Sequence, residues 1–359
     1  MRLELEKRAE HSTAMALLSP VIALALTLVS GAILFAALGE NPAEALYVFF
    51  IEPLTASWSL QELVVKATPL ILIGVGLAVC YLSNTWNIGG EGQFTAGALA
   101  GSVLPILVPE FQTPLTLPLM LLMGIAGGMA WAAIPAFLKV RFGTNEILTS
   151  LMLVYIAQLL LDWLVRGPWR DPDGYNFPES RLFSDAASLP ALADGRMHVG
   201  AIFALIAVAA LAVVLMKSLK GFEIRVLGQA PRAGRFAGFS QNRMVWFAFL
   251  LSGGLAGLAG ISEVSGSINQ LTPVISPGYG FTAIIVAFLG RLNPIGILFS
   301  GLLLALSYLG GEAAQVALGI SDKTTRVFQG MLLFYVLACD TLILYRIRLG
   351  GPAATAKGA

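Results

Sequence analysis

Residues 15–38 read MALLSPVIALALTLVSGAILFAAL and contain no charged side chain. An apolar run of this length matches the roughly 20 residues that a helix needs to cross a bilayer. It follows the charged segment MRLELEKRAEH and exceeds the apolar core of a signal peptide, so we interpret it as a retained first span. The rest of the chain is similar, since 57% of its 359 residues are hydrophobic and 12% are charged. No soluble core hides so much apolar surface, which excludes a soluble globular protein.

Apolar segments of this kind recur along the whole chain. They predict an all-α fold, a polytopic transmembrane bundle of about ten spans in which some helices are broken or re-entrant. The segments cover residues 15–38, 63–83, 93–109, 115–138, 146–165, 198–216, 244–262, 279–290, 294–310 and 327–345. The eighth and ninth meet at residues 290–294, either as two spans joined by a tight turn or as one long broken hairpin.

The distribution of basic residues predicts the orientation. With ten spans and a cytoplasmic N-terminus, fifteen of the 22 Lys and Arg residues fall on the inner side, which satisfies the positive-inside rule. Both termini are therefore predicted to be cytoplasmic, and residues 1–359 form one transmembrane domain. Residues 217–243 become a cytoplasmic loop with six basic residues, and residues 166–197 an extracytoplasmic loop. In a second outer loop, 39–62, Asn41 and Pro42 predict the start of a short interfacial helix.

A glycine-rich segment interrupts the pattern at residues 85–94, TWNIGGEGQF. Three glycines in four positions disfavour a regular helix, and lipid cannot satisfy the backbone groups that they leave free. The segment is either a broken helix that contributes Asn87, Glu91 and Gln93 to a translocation pathway, or an ordinary turn on the inner side. A similar interruption, SPGYG at residues 276–280, suggests corresponding breaks in two halves of the chain.

Two further segments carry polar residues in helical patterns. Thr144 or Asn145 can cap the fifth span. Asn145, Thr149 and Ser150 then form part of a polar stripe that faces the pathway, or they are only a cap with small packing residues. In the cytoplasmic loop, Pro231 predicts a helix start. The residues after it form a short amphipathic helix that a partner protein can bind, or a basic loop whose only role is to keep this side of the protein in the cytoplasm under the positive-inside rule.

Several classes of site find no support. No spacing of metal ligands occurs, Cys80 and Cys339 both lie in apolar runs, and no basic run interleaved with aromatic residues suggests nucleic-acid binding. No P-loop of the form GxxxxGK[ST] is present, so no cofactor and no ATP hydrolysis are predicted. Acidic residues at membrane depth, Asp162, Glu263 and above all Asp340, leave open an ion-coupled transporter of a small polar solute.

Four segments occur in the order typical of a known family: Asn87–Gln93, Asn145–Glu146, Arg225–Gly238 and Gly280–Gly296. Together they resemble the membrane permease subunits of bacterial ABC importers for nucleosides and simple sugars, in the wider group of ribose and branched-chain amino-acid permeases. The resemblance extends over residues 15–345, and its specific parts are the glycine-rich segment and Gly280–Gly296.

The resemblance implies a subunit of the bacterial inner membrane that forms half of a pathway and is not itself an enzyme. It implies three protein partners besides membrane lipid: a cytoplasmic ABC ATPase, a second permease in a heterodimer, and an extracytoplasmic substrate-binding protein or lipoprotein. The segment similar to the ATPase-coupling region contains Arg225, Pro231, Arg232, Arg235 and Phe236.

Eight residues are candidates for the pathway or for substrate contact. They are Trp86, Asn87, Glu91, Gln93, Phe94, Asn145, Thr149 and Phe281. Trp86, Phe94 or Phe281 can stack on a nucleobase, or can serve ordinary packing. A secondary transporter driven by protons or sodium remains the alternative, while a receptor or scaffold is disfavoured because no segment outside the spans forms a large domain.

Overall fold

The computed structural model describes the backbone of residues 2–7, 13–192 and 195–350, and the side chains of 18–192, 195–321 and 323–339. The described chain is helical apart from one pair of short strands. The elements are β1 Arg2–Lys7, α1 Thr13–Ala37, α2 Pro42–Phe50, α3 Ser57–Leu82, α4 Gly90–Leu107, α5 Thr116–Phe142, α6 Glu146–Arg166, α7 Gly200–Lys217, α8 Leu219–Gln229, α9 Pro231–Phe236, α10 Gln241–Glu263, α11 Tyr279–Leu289, α12 Pro294–Leu318, α13 Asp322–Leu344 and β2 Tyr345–Gly350.

The helical membrane fold predicted from the apolar segments is confirmed. Each of the ten segments coincides with a helix, and within the described residues seven helices are long and apolar enough to cross a membrane. The boundaries differ most for α3, which begins at Ser57 instead of 63, and for α12, which continues to Leu318. Both extensions contain polar residues, among them Glu62 in α3 and Glu312 in α12, so hydropathy assigns them to loops.

The eighth and ninth segments form two separate helices, α11 and α12, joined by a tight turn at residues 290–293. The turn between α11 and α12 holds Arg291 and Leu292 in the left-handed region, with φ of 56° and 55°. The Asn293 side chain accepts a hydrogen bond from the Ile295 amide at 2.9 Å and so caps α12. The side chain of Asp340, in α13, lies outside the described residues.

The chain divides into two compact units, and the first comprises residues 1–52 and 310–359. Its core is aromatic: the Phe49 ring lies 5.1 Å from that of Phe328 and 6.2 Å from that of Phe35, measured between centroids. The short helix predicted after Asn41 is confirmed as α2, because the Asn41 carboxamide accepts a hydrogen bond from the Ala43 amide at 3.1 Å. Strands β1 and β2 pair antiparallel in the same unit.

The second unit, residues 53–309, is built around α3 and α10. Almost the whole of α3 from Val65 to Tyr81 is buried. Helix α10 contacts α3, α4 and α5, and glycines allow the backbones to touch. A Cβ on Gly257 would lie 2.2 Å from the Gly124 carbonyl oxygen of α5, so only glycine fits there. Close packing through small residues is how helices associate in lipid, where apolar burial gives no advantage.

The loop 166–197 is anchored to the end of α10 by backbone hydrogen bonds. A π-helical turn, Val264–Ile268, continues α10, and the Leu189 amide donates to the Ser265 carbonyl oxygen at 2.8 Å. Arg196 donates to the Ser267 carbonyl oxygen at 3.1 Å and forms an ion pair with Glu62 at 3.4 Å. The described parts of the loop, residues 166–192 and 195–197, therefore have a defined course along this end of the second unit.

Candidate functional site

The glycine-rich segment is held by a buried network of amide side chains. Residues 84–89 follow α3 and have no helical structure, and α4 begins at Gly90. The Asn87 and Gln93 carboxamides exchange two hydrogen bonds, of 3.0 and 3.1 Å. Asn87 also donates to the Ser252 hydroxyl at 3.2 Å and accepts from the Gly89 amide at 2.9 Å. Both carboxamides are fully buried, so the network satisfies polar groups that neither lipid nor water reaches.

The segment packs against the first half of α6, a helix long enough to cross the membrane. The Ile88 amide donates to the Ser150 hydroxyl at 3.2 Å, and a Cβ on Gly92 would lie 2.9 Å from the Val154 Cα. Val154 is about 12 Å along the axis from Glu146, where α6 begins, and about 18 Å from Arg166, where it ends. This depth favours the broken-helix interpretation over a turn at the membrane surface.

The second interruption meets the first. The Ser276 hydroxyl caps α11 by accepting hydrogen bonds from the Gly278 and Tyr279 amides, at 3.0 and 2.9 Å. The Gly280 amide in the same turn donates to the Glu91 carboxylate at 2.6 Å. A Cβ on Gly280 would lie 2.1 Å from the Glu91 nitrogen, so the first turns of α4 and α11 are in backbone contact. Two helix N-termini thus converge on the Glu91 carboxylate.

A cavity of about 440 Å³ lies beside this convergence. Its walls come from α4, α6 and the segment that precedes α11, and its volume lies within the roughly 300–1,000 Å³ of small-molecule sites. The polar lining residues are Glu91, Thr95, Tyr155, Gln158, Asp162 and Ser276. The Asp162 carboxylate is paired with Arg166 at 2.7 Å, whereas Glu91 is only 2% exposed and is held by backbone.

The aromatic candidates occupy three different settings. Phe94 is fully buried and packs edge-on against Tyr279, with ring centroids 6.2 Å apart. Trp86 is partly exposed and stacks near Phe288 at 6.3 Å. Phe281 is partly exposed on α11. The described cavity lining includes none of the three, so their contact with a base stays a prediction.

Asn145 and Thr149 form hydrogen bonds within α6 itself. The Asn145 carboxamide accepts from the Ile147 amide at 2.9 Å, which confirms it as the cap of this helix. The Thr149 hydroxyl donates to the Asn145 carbonyl oxygen at 3.1 Å. Glu146, beside the cap, pairs with Lys139 at 2.7 Å. Of this stretch, it is Ser150 that reaches the glycine-rich segment.

The loop 217–243 contains two helices. The helix start predicted at Pro231 is confirmed as α9, whereas α8 before it was not predicted. The Ser218 hydroxyl caps α8, and Arg225 on that helix donates to the Leu215 carbonyl oxygen. On α9 the Phe236 side chain is 95% exposed and borders, with Arg232 and Arg235, a depression of about 400 Å³. An exposed aromatic ring that shares a depression with two arginines is typical of a protein-binding surface.

The comparison with protein families agrees with this geometry. Residues 59–337 match the family described as "Branched-chain amino acid transport system / permease component". The chain belongs to this permease family. The match covers both interrupted segments, the cavity and the loop with α8 and α9, so the predicted resemblance is confirmed.

Three curated relatives indicate the kind of transporter to which the permease is similar. It is 37% identical to a glucose ABC transporter permease protein of Haloferax volcanii, over 97% of this chain and 94% of the relative. It is 30% identical to a nucleoside ABC transporter permease protein of Lactococcus lactis, over 89% and 90%. It is 29% identical to a guanosine ABC transporter permease protein of Bacillus subtilis, over 98% and 99%. The chain is therefore a multi-pass ABC transporter permease subunit, as predicted, and these names disfavour the ion-coupled alternative.

Sequence reasoning missed part of the permease's cavity. Tyr155, Gln158 and Asp162 lie three or four residues apart on α6, so they share one face of an otherwise apolar helix. That spacing is a signal that the sequence contains, although of the three only Asp162 stood out, as an acidic residue at membrane depth. Ser252, the partner of Asn87, lies among glycines of α10 and has no comparable signal.

Proposed function

We propose that this permease forms half of the translocation pathway of an ATP-driven importer for nucleosides or simple sugars. The observation that carries the proposal is the meeting of two interrupted helices against the first half of α6, beside a cavity of suitable size. Irregular backbone at this depth is tolerated where it is packed in protein or lines a wet cavity. Relatives named for glucose, nucleoside and guanosine transport support this substrate class.

The eight pathway candidates receive different roles in this proposal. Glu91 lines the route itself, whereas Asn87, Gln93 and Phe94 hold the broken segment in shape. Trp86, Asn145, Thr149 and Phe281 are proposed to act elsewhere along the route or at the second permease of a heterodimer.

The proposed orientation has ten spans, both termini in the cytoplasm and the whole chain, 1–359, as one permease domain. Antiparallel pairing of residues 2–7 with 345–350 keeps the two ends of the chain on one side, which supports an even number of crossings. The basic loop 217–243 then lies in the cytoplasm and the loop 166–197 outside the inner membrane. An extracytoplasmic binding protein or lipoprotein is the proposed partner of the outer loop.

The proposed ATPase-docking surface consists of Arg225 on α8 and of Pro231, Arg232, Arg235 and Phe236 on α9. Exposed aromatic and arginine side chains are the residue types that contribute most to binding at protein interfaces. A carboxylate in place of the exposed ring would remove the apolar contact and introduce an unpaired charge at the interface.

The test is co-purification of ATP hydrolysis with the tagged full-length chain from its native membrane. We expect hydrolysis in the wild-type eluate and at least a tenfold loss for Phe236→Asp, since burying an unpaired charge costs about 2 kcal/mol or more. Phe177→Asp is the control, because Phe177 is also an exposed phenylalanine ring but lies in the proposed outer loop. The proposal is wrong if no hydrolysis accompanies the wild-type chain, or if Phe236→Asp retains it in full.

A further inference from the structure

The Glu91 carboxylate occupies a position where helix geometry would otherwise attract an anion. Each helix N-terminus carries the equivalent of about half a positive charge, so the two that converge here sum to about one. Both helices are long enough for this effect, with 18 residues in α4 and 11 in α11. The carboxylate, held at 2.6 Å from the Gly280 amide, cancels that charge and occupies one of the free N–H groups.

Three further N–H groups near Glu91 also have acceptors within the chain. Ser276 accepts from the Gly278 and Tyr279 amides, and Asn87 accepts from the Gly89 amide. A phosphate or carboxylate that entered the cavity would find these donors already in use. Among the described residues that line the cavity, none is Lys or Arg, and the nearby Arg166 is paired with Asp162.

What remains in the cavity walls suits hydroxyl groups. Gln158 and Asp162 offer acceptors, Tyr155 and Thr95 offer hydroxyls, and the apolar walls include Leu159 and Val274. Hydroxyl-bearing rings need this combination of a few polar groups on an apolar surface.

We propose that Glu91 excludes anions from the cavity by occupying the convergent helix N-termini, so that the pathway admits uncharged, hydroxyl-bearing solutes and rejects phosphorylated ones. This inference rests on the proposed permease function and assigns a charge-selecting role to one residue. Because Gln has the same size and can still accept from Gly280, Glu91→Gln removes the charge alone. It therefore converts the cavity into one that attracts anions.

The test measures charge selectivity on the full-length chain in lipid nanodiscs, with no partner present. A reporter, Gln158→Cys, is introduced into a chain in which Cys80 and Cys339 are alanine, and Gln158 is suitable because it is exposed in the cavity wall. The rates of reaction with a cationic and an anionic methanethiosulfonate reagent are compared. We expect Glu91→Gln to raise the anionic-to-cationic rate ratio about tenfold or more, because one elementary charge close to the thiol is removed.

Two controls make the result specific. Glu91→Asp keeps the charge and should leave the rate ratio near that of the parent chain. Tyr175→Cys, in the outer loop and 94% exposed, should show no effect of Glu91→Gln. An unchanged ratio at the cavity thiol, or an equal change at the loop thiol, would overturn the proposal.

A second measurement needs no substitution of Glu91. Millimolar adenosine or glucose should slow modification of the cavity thiol, whereas adenosine monophosphate and glucose 6-phosphate should not. Equal protection by the phosphorylated compounds, or no protection by adenosine and glucose, would overturn the assignment of solute class. Neither measurement involves an ATPase. The charge-selecting role can therefore fail while the permease assignment stands, and the permease assignment can fail while the charge-selecting role stands.

Discussion

Replacing Asn87 with alanine should destabilise the permease far more than replacing an exposed asparagine. The Asn87 carboxamide makes four hydrogen bonds inside the protein: two with Gln93, one with Ser252 and one with the Gly89 amide. At roughly 1 kcal/mol for each buried bond, Asn87→Ala should lower the free energy of unfolding by about 4 kcal/mol. Water cannot replace the lost hydrogen bonds, because the carboxamides of Asn87 and Gln93 are both fully buried.

The matched control is Asn145→Ala, which removes an exposed helix cap and should cost about 1 kcal/mol. Unfolding free energies can be measured in mixed micelles by titration with denaturing detergent, followed by circular dichroism. The double variant Asn87→Ala/Gln93→Ala should cost about 2 kcal/mol less than the sum of the single variants, because the two shared bonds are counted twice. A loss for Asn87→Ala no greater than that for Asn145→Ala would refute the network as the support of the broken segment.

Two further predictions concern a buried histidine and the packing of α10 on α5. Burial and the neighbouring Arg196 lower the pKa of His198, just before α7, to about 4, so the folded protein disfavours its protonation. Stability from this histidine is complete above its unfolded pKa of 6.5 and is lost as the pH falls toward 4. At pH 5 the free energy of unfolding is lowered by about 2 kcal/mol through this histidine. His198→Gln should abolish this loss, which is measured by comparing thermal unfolding at pH 7 and at pH 5. Gly257→Val should prevent correct packing of α10 on α5, measured as loss of monodisperse protein in size-exclusion chromatography, whereas Gly330→Ala, with no atom within 4 Å of the added carbon, should not.

Hydropathy predicted the helices because the free energy of membrane insertion depends mainly on apolar length. It could not predict α8, whose 11 residues mix charged and apolar side chains at the surface. The turn at Arg291 and Leu292 was predicted in position, but its left-handed backbone was not, since neither residue favours it.

The depth of the glycine-rich segment is the clearest case of what sequence alone left open. A polar stretch between two apolar runs is normally assigned to the membrane surface. Asn87 and Gln93 instead satisfy each other, and Ser252, 165 residues away in the sequence, completes the network. Only the fold brings these residues together, and the same holds for Glu91 and Gly280, which are 189 residues apart.

The central claim is that this permease opens a path and receives its energy from a separate ATPase. It is tested most directly by accumulation of labelled adenosine or glucose in proteoliposomes. The full assembly that co-purifies with the chain, together with its binding protein, should accumulate solute only when ATP is supplied. The purified chain alone should accumulate none, with or without a proton or sodium gradient. Accumulation by the chain alone on an ion gradient would contradict the account.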